Sequence, residues 1–127
     1  MRDKYEPNPI PESRFPRYGD IYGVNLGPVV GAETGKLRPA LIVSNDINNE
    51  FSQTLTILAI TSQPAGKQYP CEVLVLKGAA GLAADSRIKA NQIRTVDKRR
   101  LVSLRGSLSS EYISQVEKAL KIHLNMK

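Results

Sequence analysis

The sequence has one cysteine and no long apolar run, and each scarcity excludes a class of protein. Because a single thiol has no partner, Cys71 can form neither an internal disulfide nor a thiolate metal site by itself. It lies in the apolar segment CEVLVL, so a buried, inert thiol is expected. No apolar run approaches the roughly 20 residues of a membrane-spanning helix. The start of the chain also lacks the apolar stretch of a secretory signal, so a cytoplasmic location with no membrane partner is predicted.

The length of the chain, 127 residues, predicts one compact domain, because chains of roughly 100 to 150 residues usually form a single core. Residues 1–16 hold four prolines among polar residues, a composition that favours extended or disordered backbone. We therefore predict a flexible tail over residues 1–16 and a folded domain over residues 17–127.

Short runs rich in Ile, Val, Leu and Thr follow this tail, separated by Gly, Pro, Asn and polar clusters. They predict about six or seven strands: GDIYGVNL, PALIVS, LTILAIT, CEVLVL, SRIKA, IRTVD and LVSLR. Only the last segment, SSEYISQVEKALKIHL, has helical spacing, with an apolar stripe at Ile113, Val116, Leu120 and Leu124. The predicted fold is mainly β (α+β): a small, strongly bent antiparallel sheet or half-open barrel, closed by a C-terminal amphipathic helix.

The net charge of +6 is concentrated in one part of the chain. Residues 86–106 contain seven lysines and arginines and one acidic residue, Asp97. The net charge of this stretch, +6, therefore equals the net charge of the whole chain. Such a region is typical of a protein that meets phosphates, although a solvated face explains the charge equally well.

One arginine occupies a defined position at the start of a predicted strand, in TGKLRPALIVSND. Pro39 restricts Arg38 to extended geometry, so the guanidinium projects from a strand entrance. The preceding connection, GPVVGAETGKLR, has three glycines, and a structureless loop of this length is more often functional than not. Alternatively, Arg38 is a surface arginine whose stem covers the edge of the barrel.

A polar trio, Thr61, Ser62 and Gln63, closes the strand LTILAIT. Hydroxyls at a strand end commonly bind loop backbone, which is the structural alternative. If PALIVS and LTILAIT pair in antiparallel fashion, however, Thr61 lies close to Arg38. A guanidinium beside a hydroxyl forms a plausible oxyanion site for a pentavalent phosphorus.

Three segments in this order resemble the MazF/PemK (Kid) toxins of bacterial type II toxin–antitoxin systems. They are RYGDIYGVNLGPVVGAETGKLRPALIVSND, FSQTLTILAITSQ and NQIRTVDKRRL, and the resemblance runs from Arg17 to the C-terminus. It implies an SH3-like half-open barrel, a homodimer and a growth-inhibiting endoribonuclease that needs no cofactor and no metal. Its substrate would be single-stranded RNA, whether messenger, ribosomal or transfer RNA. Its other partners would be a cognate acidic, partly disordered antitoxin and, only together with that antitoxin, operator DNA.

The resemblance also implies a chemistry, in which the RNA 2′-hydroxyl attacks the adjacent phosphorus and leaves a cyclic phosphate and a 5′-hydroxyl. Arg38 and Thr61 match the family's catalytic pair. Arginine is a poor general base, so Glu33 in the long loop is the candidate base, with a solvated loop charge as its alternative. Asn91 departs from the family, because some members carry an acid there, and we assign it to RNA recognition.

Candidate RNA contacts, each with a structural alternative of comparable weight, are Thr34, Lys36, Ser62 and Gln63. We interpret Arg94, Thr95 and Asp97 as a structural network. The only histidine, His123, falls in the last turn of the predicted helix without an acid–base partner, so a histidine mechanism is not expected. No Cys, His or carboxylate spacing suggests a metal site.

Two other functions compete with RNA cleavage. One is a nucleic-acid-binding module that does not cut, and the other is a degenerate toxin that acts through binding of antitoxin and operator DNA.

Overall fold

A computed structural model describes residues 14–28, 30–33, 35–62, 67 and 69–127. In the described part the chain forms six strands, two α-helices and two short 3₁₀ helices. The strands are β1 (Asp20–Asn25), β2 (Leu37–Ile42), β3 (Thr54–Ser62), β4 (Glu72–Val75), β5 (Ser86–Asp97) and β6 (Leu101–Ser107). The helices are α1 (Asp46–Phe51) and α2 (Ser110–His123), with 3₁₀ turns at Ala79–Gly81 and Lys98–Arg100.

The strands form one antiparallel sheet in the order β4-β5-β3-β2-β1-β6, and it does not close into a full barrel. The predicted mainly β fold, an open and bent antiparallel sheet with a C-terminal helix, is confirmed. The predicted strands SRIKA and IRTVD are in fact one strand, β5. Its register against β3 shifts between the pairs Leu58↔Ile93 and Ile60↔Ile88. Extra residues of β5 therefore oppose Ala59, an irregularity of the kind that bends a strand.

Apolar residues cover both faces of the sheet, because alternate side chains on a strand point in opposite directions. One cluster includes Leu58 and Ile60 and buries Val116 and Ala119 of α2. The other includes Ile57 and Ala59 and lies on the opposite face. We call these the helix face and the open-barrel face.

The C-terminal helix follows the predicted stripe for most of its length. Ser109 caps its first turn by accepting a hydrogen bond from the Tyr112 amide. Val116 is buried, and Ile113 and Leu120 pack against the helix-face cluster. Leu124 lies beyond the end of α2 and is 47% exposed, so the packed stripe ends one turn earlier than predicted.

The short helix α1 was not predicted. It has only six residues, too few for an apolar stripe to be seen in the sequence. Its local signal is Asn45, whose side chain accepts from the Asn48 amide at 2.9 Å. The buried Asn49 then donates to the Ser44 carbonyl at 2.7 Å, which ties the helix to the end of β2.

Two further expectations concern the tail and the cysteine. The flexible tail falls largely outside the described residues, but its last residues contact the domain: Arg14 pairs with Asp20, and Pro16 is buried. Cys71 is half-buried, which differs from the buried thiol expected, because it precedes β4. No helix in the described part of the chain has the length and apolar character needed to span a membrane.

We predict that Leu58→Ala lowers the free energy of unfolding by about 2 to 5 kcal/mol, because Leu58 is fully buried between the sheet and α2. The matched control is Leu76→Ala, at a position that is 55% exposed, which should change stability by no more than about 0.5 kcal/mol. Urea unfolding of both variants measures the difference. Equal losses would contradict the assigned core.

Candidate active site

The long β1–β2 loop is closed at its base by backbone hydrogen bonds. The Leu26 amide donates to the Lys36 carbonyl at 2.9 Å, and the Lys36 amide donates to the Gly27 carbonyl at 3.3 Å. Lys36 has a φ of 66°, a left-handed conformation that costs a non-glycine residue about 1 kcal/mol or more. This strained residue lies two positions before Arg38 and sets the direction in which the chain enters β2.

Two arginines fasten the first residues of this loop. Arg94 on β5 donates to the Leu26 carbonyl at 3.3 Å, and Arg100 donates to the Asn25 carbonyl at 3.1 Å. The Asn25 side chain in turn accepts from the Gly27 amide at 2.9 Å. The basic stretch thus contributes directly to the shape of the loop that precedes Arg38.

Arg38 is half-buried near the start of β2, and its Nε donates to the Gly35 carbonyl at 3.3 Å. No other partner of its guanidinium is found among the described residues. The side chain borders an open cavity of about 400 Å³ under the loop, which we call the loop cavity. Its lining residues are Gly27, Pro28, Glu33, Gly35, Lys36 and Arg38.

Glu33, the candidate base, and Lys36, a candidate RNA contact, therefore share this cavity with Arg38. The Glu33 carboxylate already accepts a hydrogen bond from the Val30 amide at 2.6 Å, so it also shapes the loop tip. Both Glu33 and Lys36 are exposed. The predicted contact Thr34 lies outside the described residues.

The pairing of β2 with β3 brings Thr61 and Arg38 to the same end of the sheet. The register runs from Ile42↔Ile57 through Leu41↔Leu58 to Ala40↔Ala59, where the pairing ends, two residues after Arg38 on β2 and two residues before Thr61 on β3. Arg38 alternates in step with Ala40, and Thr61 with Ala59, so both belong to the open-barrel face. Thr61 is only 8% exposed, and its hydroxyl has no hydrogen-bond partner among the described residues.

A buried arginine that the sequence did not single out flanks Thr61 on its other side. Arg87 on β5 is the register partner of Thr61 and forms an ion pair with Glu72 at 3.1 Å. Both are buried, so the Arg87 charge is paired inside the protein. Arg87 also donates to the Lys67 carbonyl at 3.4 Å, so it connects β5 to the loop between β3 and β4.

The basic stretch is therefore not one solvated face. Arg87 is buried, whereas Arg99 is exposed and binds Asp97. The hydrogen bonds from Arg99 lower the pKa of Asp97 below its ordinary value. Asp97 also accepts from the Arg99 amide at 2.8 Å, and the Thr95 hydroxyl lies 3.1 Å from that of Thr56. These contacts agree with the structural network predicted around Arg94, Thr95 and Asp97.

The remaining predicted contacts do not all converge on Arg38. Ser62 is exposed and lies on the helix face, because it alternates with Thr61, although it borders a second cavity that Arg38 also lines. Asn91 is exposed within the irregular part of β5 and borders neither of the two cavities next to Arg38. Gln63 lies outside the described residues. His123 is exposed at the end of α2, as predicted.

We predict that Arg94→Ala or Arg100→Ala speeds hydrogen exchange at the Leu26 and Lys36 amides about fivefold, because each loses one hydrogen bond worth about 1 kcal/mol at the loop base. Arg99→Ala is the matched control, since this exposed arginine binds only Asp97 among the described residues. Exchange measured by NMR distinguishes them. Unchanged protection in both loop variants would show that the arginines do not hold the loop.

Comparison with known proteins places this arrangement in a family. Residues 17–124 match the family model described as PemK-like, MazF-like toxin of type II toxin-antitoxin system. Endoribonuclease EndoA of Bacillus subtilis is 42% identical over 106 residues, which cover 84% of this chain and 91% of that protein.

Two solved structures from Deinococcus radiodurans share the fold. MazF (Form-I) is 27% identical with a TM-score of 0.75, covering 89% of this chain and 99% of that one. MazE-MazF (Form-II) is 28% identical with a TM-score of 0.69, covering 90% and 99%. Because the family model spans most of the chain and a curated relative is 42% identical over 84% of it, this chain belongs to the PemK-like, MazF-like toxins of type II toxin–antitoxin systems.

Proposed function

We propose that this chain is the toxin of a type II toxin–antitoxin system and a sequence-selective endoribonuclease that cleaves single-stranded RNA without a metal or cofactor. The observation that supports the proposal is the β2–β3 pairing up to Ala40↔Ala59, because strand alternation beyond it would set Arg38 and Thr61 on one face at one end of the sheet. Membership in the toxin family and the 42% identity to an endoribonuclease support the activity.

The proposed reaction breaks the bond between phosphorus and the 5′-oxygen. The 2′-oxygen attacks the phosphorus, and the products are a 2′,3′-cyclic phosphate and a 5′-hydroxyl. The Arg38 guanidinium, with donors free of protein partners among the described residues, stabilises the negative charge that grows on the phosphoryl oxygens. Because the attacking group is the 2′-hydroxyl, the same sequence as DNA is not cut.

Thr61 contributes a second donor to the same oxygens. A buried hydroxyl without a partner costs about 1 to 3 kcal/mol, and a bound phosphoryl oxygen would remove that cost. The Glu33 carboxylate, which shares the loop cavity with Arg38, acts as the general base and accepts the proton of the attacking 2′-hydroxyl. The departing 5′-oxygen takes its proton from Arg38 or from water.

Recognition of the RNA is assigned to residues around this pair. Lys36 borders the loop cavity, and Ser62 follows Thr61 as the last residue of β3, so both lie close enough to meet neighbouring nucleotides. Thr34, Gln63 and Asn91 remain proposed contacts that rest on the resemblance to the family. A positive net charge of +6 favours the phosphate backbone in every case.

We also propose a homodimer in the cytoplasm that is inhibited by an acidic, partly disordered antitoxin. Solved relatives with the same fold include a MazE-MazF pair and an endoribonuclease in complex with its cognate antitoxin. An acidic segment that folds onto a basic toxin would lose affinity as salt rises. Binding to operator DNA would require the antitoxin.

The sharpest test of the chemistry is Thr61→Val. Valine keeps the branched shape and removes only the hydroxyl, so stability should stay equal or rise, because the buried hydroxyl has no partner among the described residues. Cleavage should slow about 100- to 1,000-fold, the usual effect of losing one transition-state donor. Single-turnover cleavage of single-stranded RNA in EDTA measures the rate, and thermal unfolding measures the stability.

Thr56→Val is the matched control, because the Thr56 hydroxyl is hydrogen-bonded to Thr95 and lies away from Arg38. This variant should keep full activity. Arg38→Ala should also abolish cleavage, and the fragments made by the wild type should end in a cyclic phosphate and a 5′-hydroxyl. Cuts that survive both Arg38→Ala and Thr61→Ala would defeat the ribonuclease assignment. RNA binding without any cleavage by the wild type would instead favour a non-catalytic binding module.

A further inference from the structure

A second cavity lies at the same end of the sheet, and we call it the rim cavity. It is open, with a volume of about 250 Å³. Apolar walls come from Pro39, Ile60 and Leu82, and polar groups come from Ser62, Ser86 and Arg105. Since the side chains of Ile60 and Ser62 point away from that of Thr61, this cavity lies on the helix face of the sheet. It has no part in the proposed bond cleavage.

Arg105 is the unexplained group in this cavity. It is half-buried on β6, and its Nε is shielded from solvent without any hydrogen-bond acceptor among the described residues. No carboxylate in the described part of the chain pairs with it either. A guanidinium offers five donors in a rigid planar fork, so an arginine left without acceptors in a cavity is suited to a ligand with two adjacent acceptors.

The backbone around Arg105 holds this side chain in place. Gly23, in the middle of β1, lies beneath the guanidinium, and a Cβ there would come within 2.9 Å of Nη2 and 3.1 Å of Nε. A glycine inside a strand often marks such a close approach. A Cβ added to Gly81 would clash with the Arg105 carbonyl oxygen, so the 3₁₀ turn at Ala79–Gly81 packs directly on the backbone of β6 at Arg105.

The rim cavity lies next to the candidate active site, and the two share one lining residue. Arg38 borders both the loop cavity and the rim cavity. An RNA strand whose phosphate contacts Arg38 would therefore pass the mouth of the rim cavity within a nucleotide or two. The walls are mainly apolar, which suits a flat base better than a strongly hydrated phosphate.

Building on the proposed RNA cleavage, we propose that the rim cavity binds a guanine next to the cleaved linkage and that Arg105 determines this preference. The guanidinium donates to the guanine O6 and N7, the commonest specific contact between arginine and a base. The Ser86 hydroxyl donates to the Ala84 carbonyl at 2.8 Å, so its lone pairs are available to accept from a base N–H. Guanine has acceptors on one edge, for the Arg105 guanidinium, and N–H donors on the adjacent edge, for the Ser86 hydroxyl.

The test is cleavage of a random-sequence RNA pool, followed by sequencing of the fragment ends. The wild type should prefer guanine at one position beside the cut by about 10- to 100-fold. Arg105→Ala should abolish the nucleotide preference at that position alone. Arg105→Gln should move the preference towards adenine, whose N6 and N7 suit an amide. Arg105→Lys keeps the charge but loses the planar fork, and it should also lose the guanine preference.

Two further variants separate base recognition from charge and from folding. Lys121→Gln removes the same charge from the exposed face of α2 and should leave the preference unchanged. Gly23→Ala keeps the arginine but displaces its guanidinium, so it should weaken the guanine preference at the same position of the RNA. Thermal unfolding checks that each variant is folded.

A uniform loss of rate with an unchanged preference would assign Arg105 to a phosphate and overturn the proposal, as would a wild type with no guanine preference near the cut. If the wild type binds RNA but does not cut it, only the proposed cleavage fails. Selection of the bound RNA from the same pool, with the same Arg105 variants, then reports the guanine preference directly.

Discussion

The antiparallel pairing of β2 with β3 is the constraint on which the rest of the site depends. It joins the start of one strand to the end of the other, so two residues far apart in sequence, Arg38 and Thr61, lie just beyond the last pair at the same end of the sheet. Pro39 follows Arg38 and cannot donate to the ladder, which suits the end of a paired segment. A slip of one residue in this register would turn one of the two side chains to the opposite face.

Arginines inside and around the sheet have distinct tasks. Arg94 and Arg100 hold the loop that leads to Arg38, and Arg87 pairs with Glu72 beside Thr61. Arg38 and Arg105 differ from these, because most of their donors have no protein acceptor among the described residues. The free guanidinium groups therefore mark the surface where a ligand rich in oxygen and nitrogen acceptors is expected. Net charge alone could not separate these roles.

Much of the fold follows from the sequence because its signals are local. Runs of β-branched residues identify the strands, and the spacing of Ile113, Val116 and Leu120 identifies α2. The pairing of PALIVS with LTILAIT, which the sequence argument assumed, is also observed, whereas the joint role of Arg38 and Thr61 stays a prediction. The short helix α1 and the continuity of β5 do not follow, since six residues carry no clear period and an irregular strand resembles two separate ones.

The contacts of Arg87 and Arg105 could not be predicted from the sequence for a different reason. Arg87 and Arg105 lie in a stretch whose composition indicates a basic surface, and only the tertiary arrangement puts one against Glu72 and the other across Gly23. An interior glycine in a predicted strand was the one local signal for the second contact.

The account's central claim is that Arg38 and Thr61 act on the same phosphoryl group, and a double-mutant cycle tests it most directly. The rate of single-turnover RNA cleavage would be measured for Arg38→Lys, Thr61→Val and the double variant. If the two side chains act as a unit, the double variant should be slowed by far less than the product of the two single effects. Single effects that multiply within error would contradict the claim.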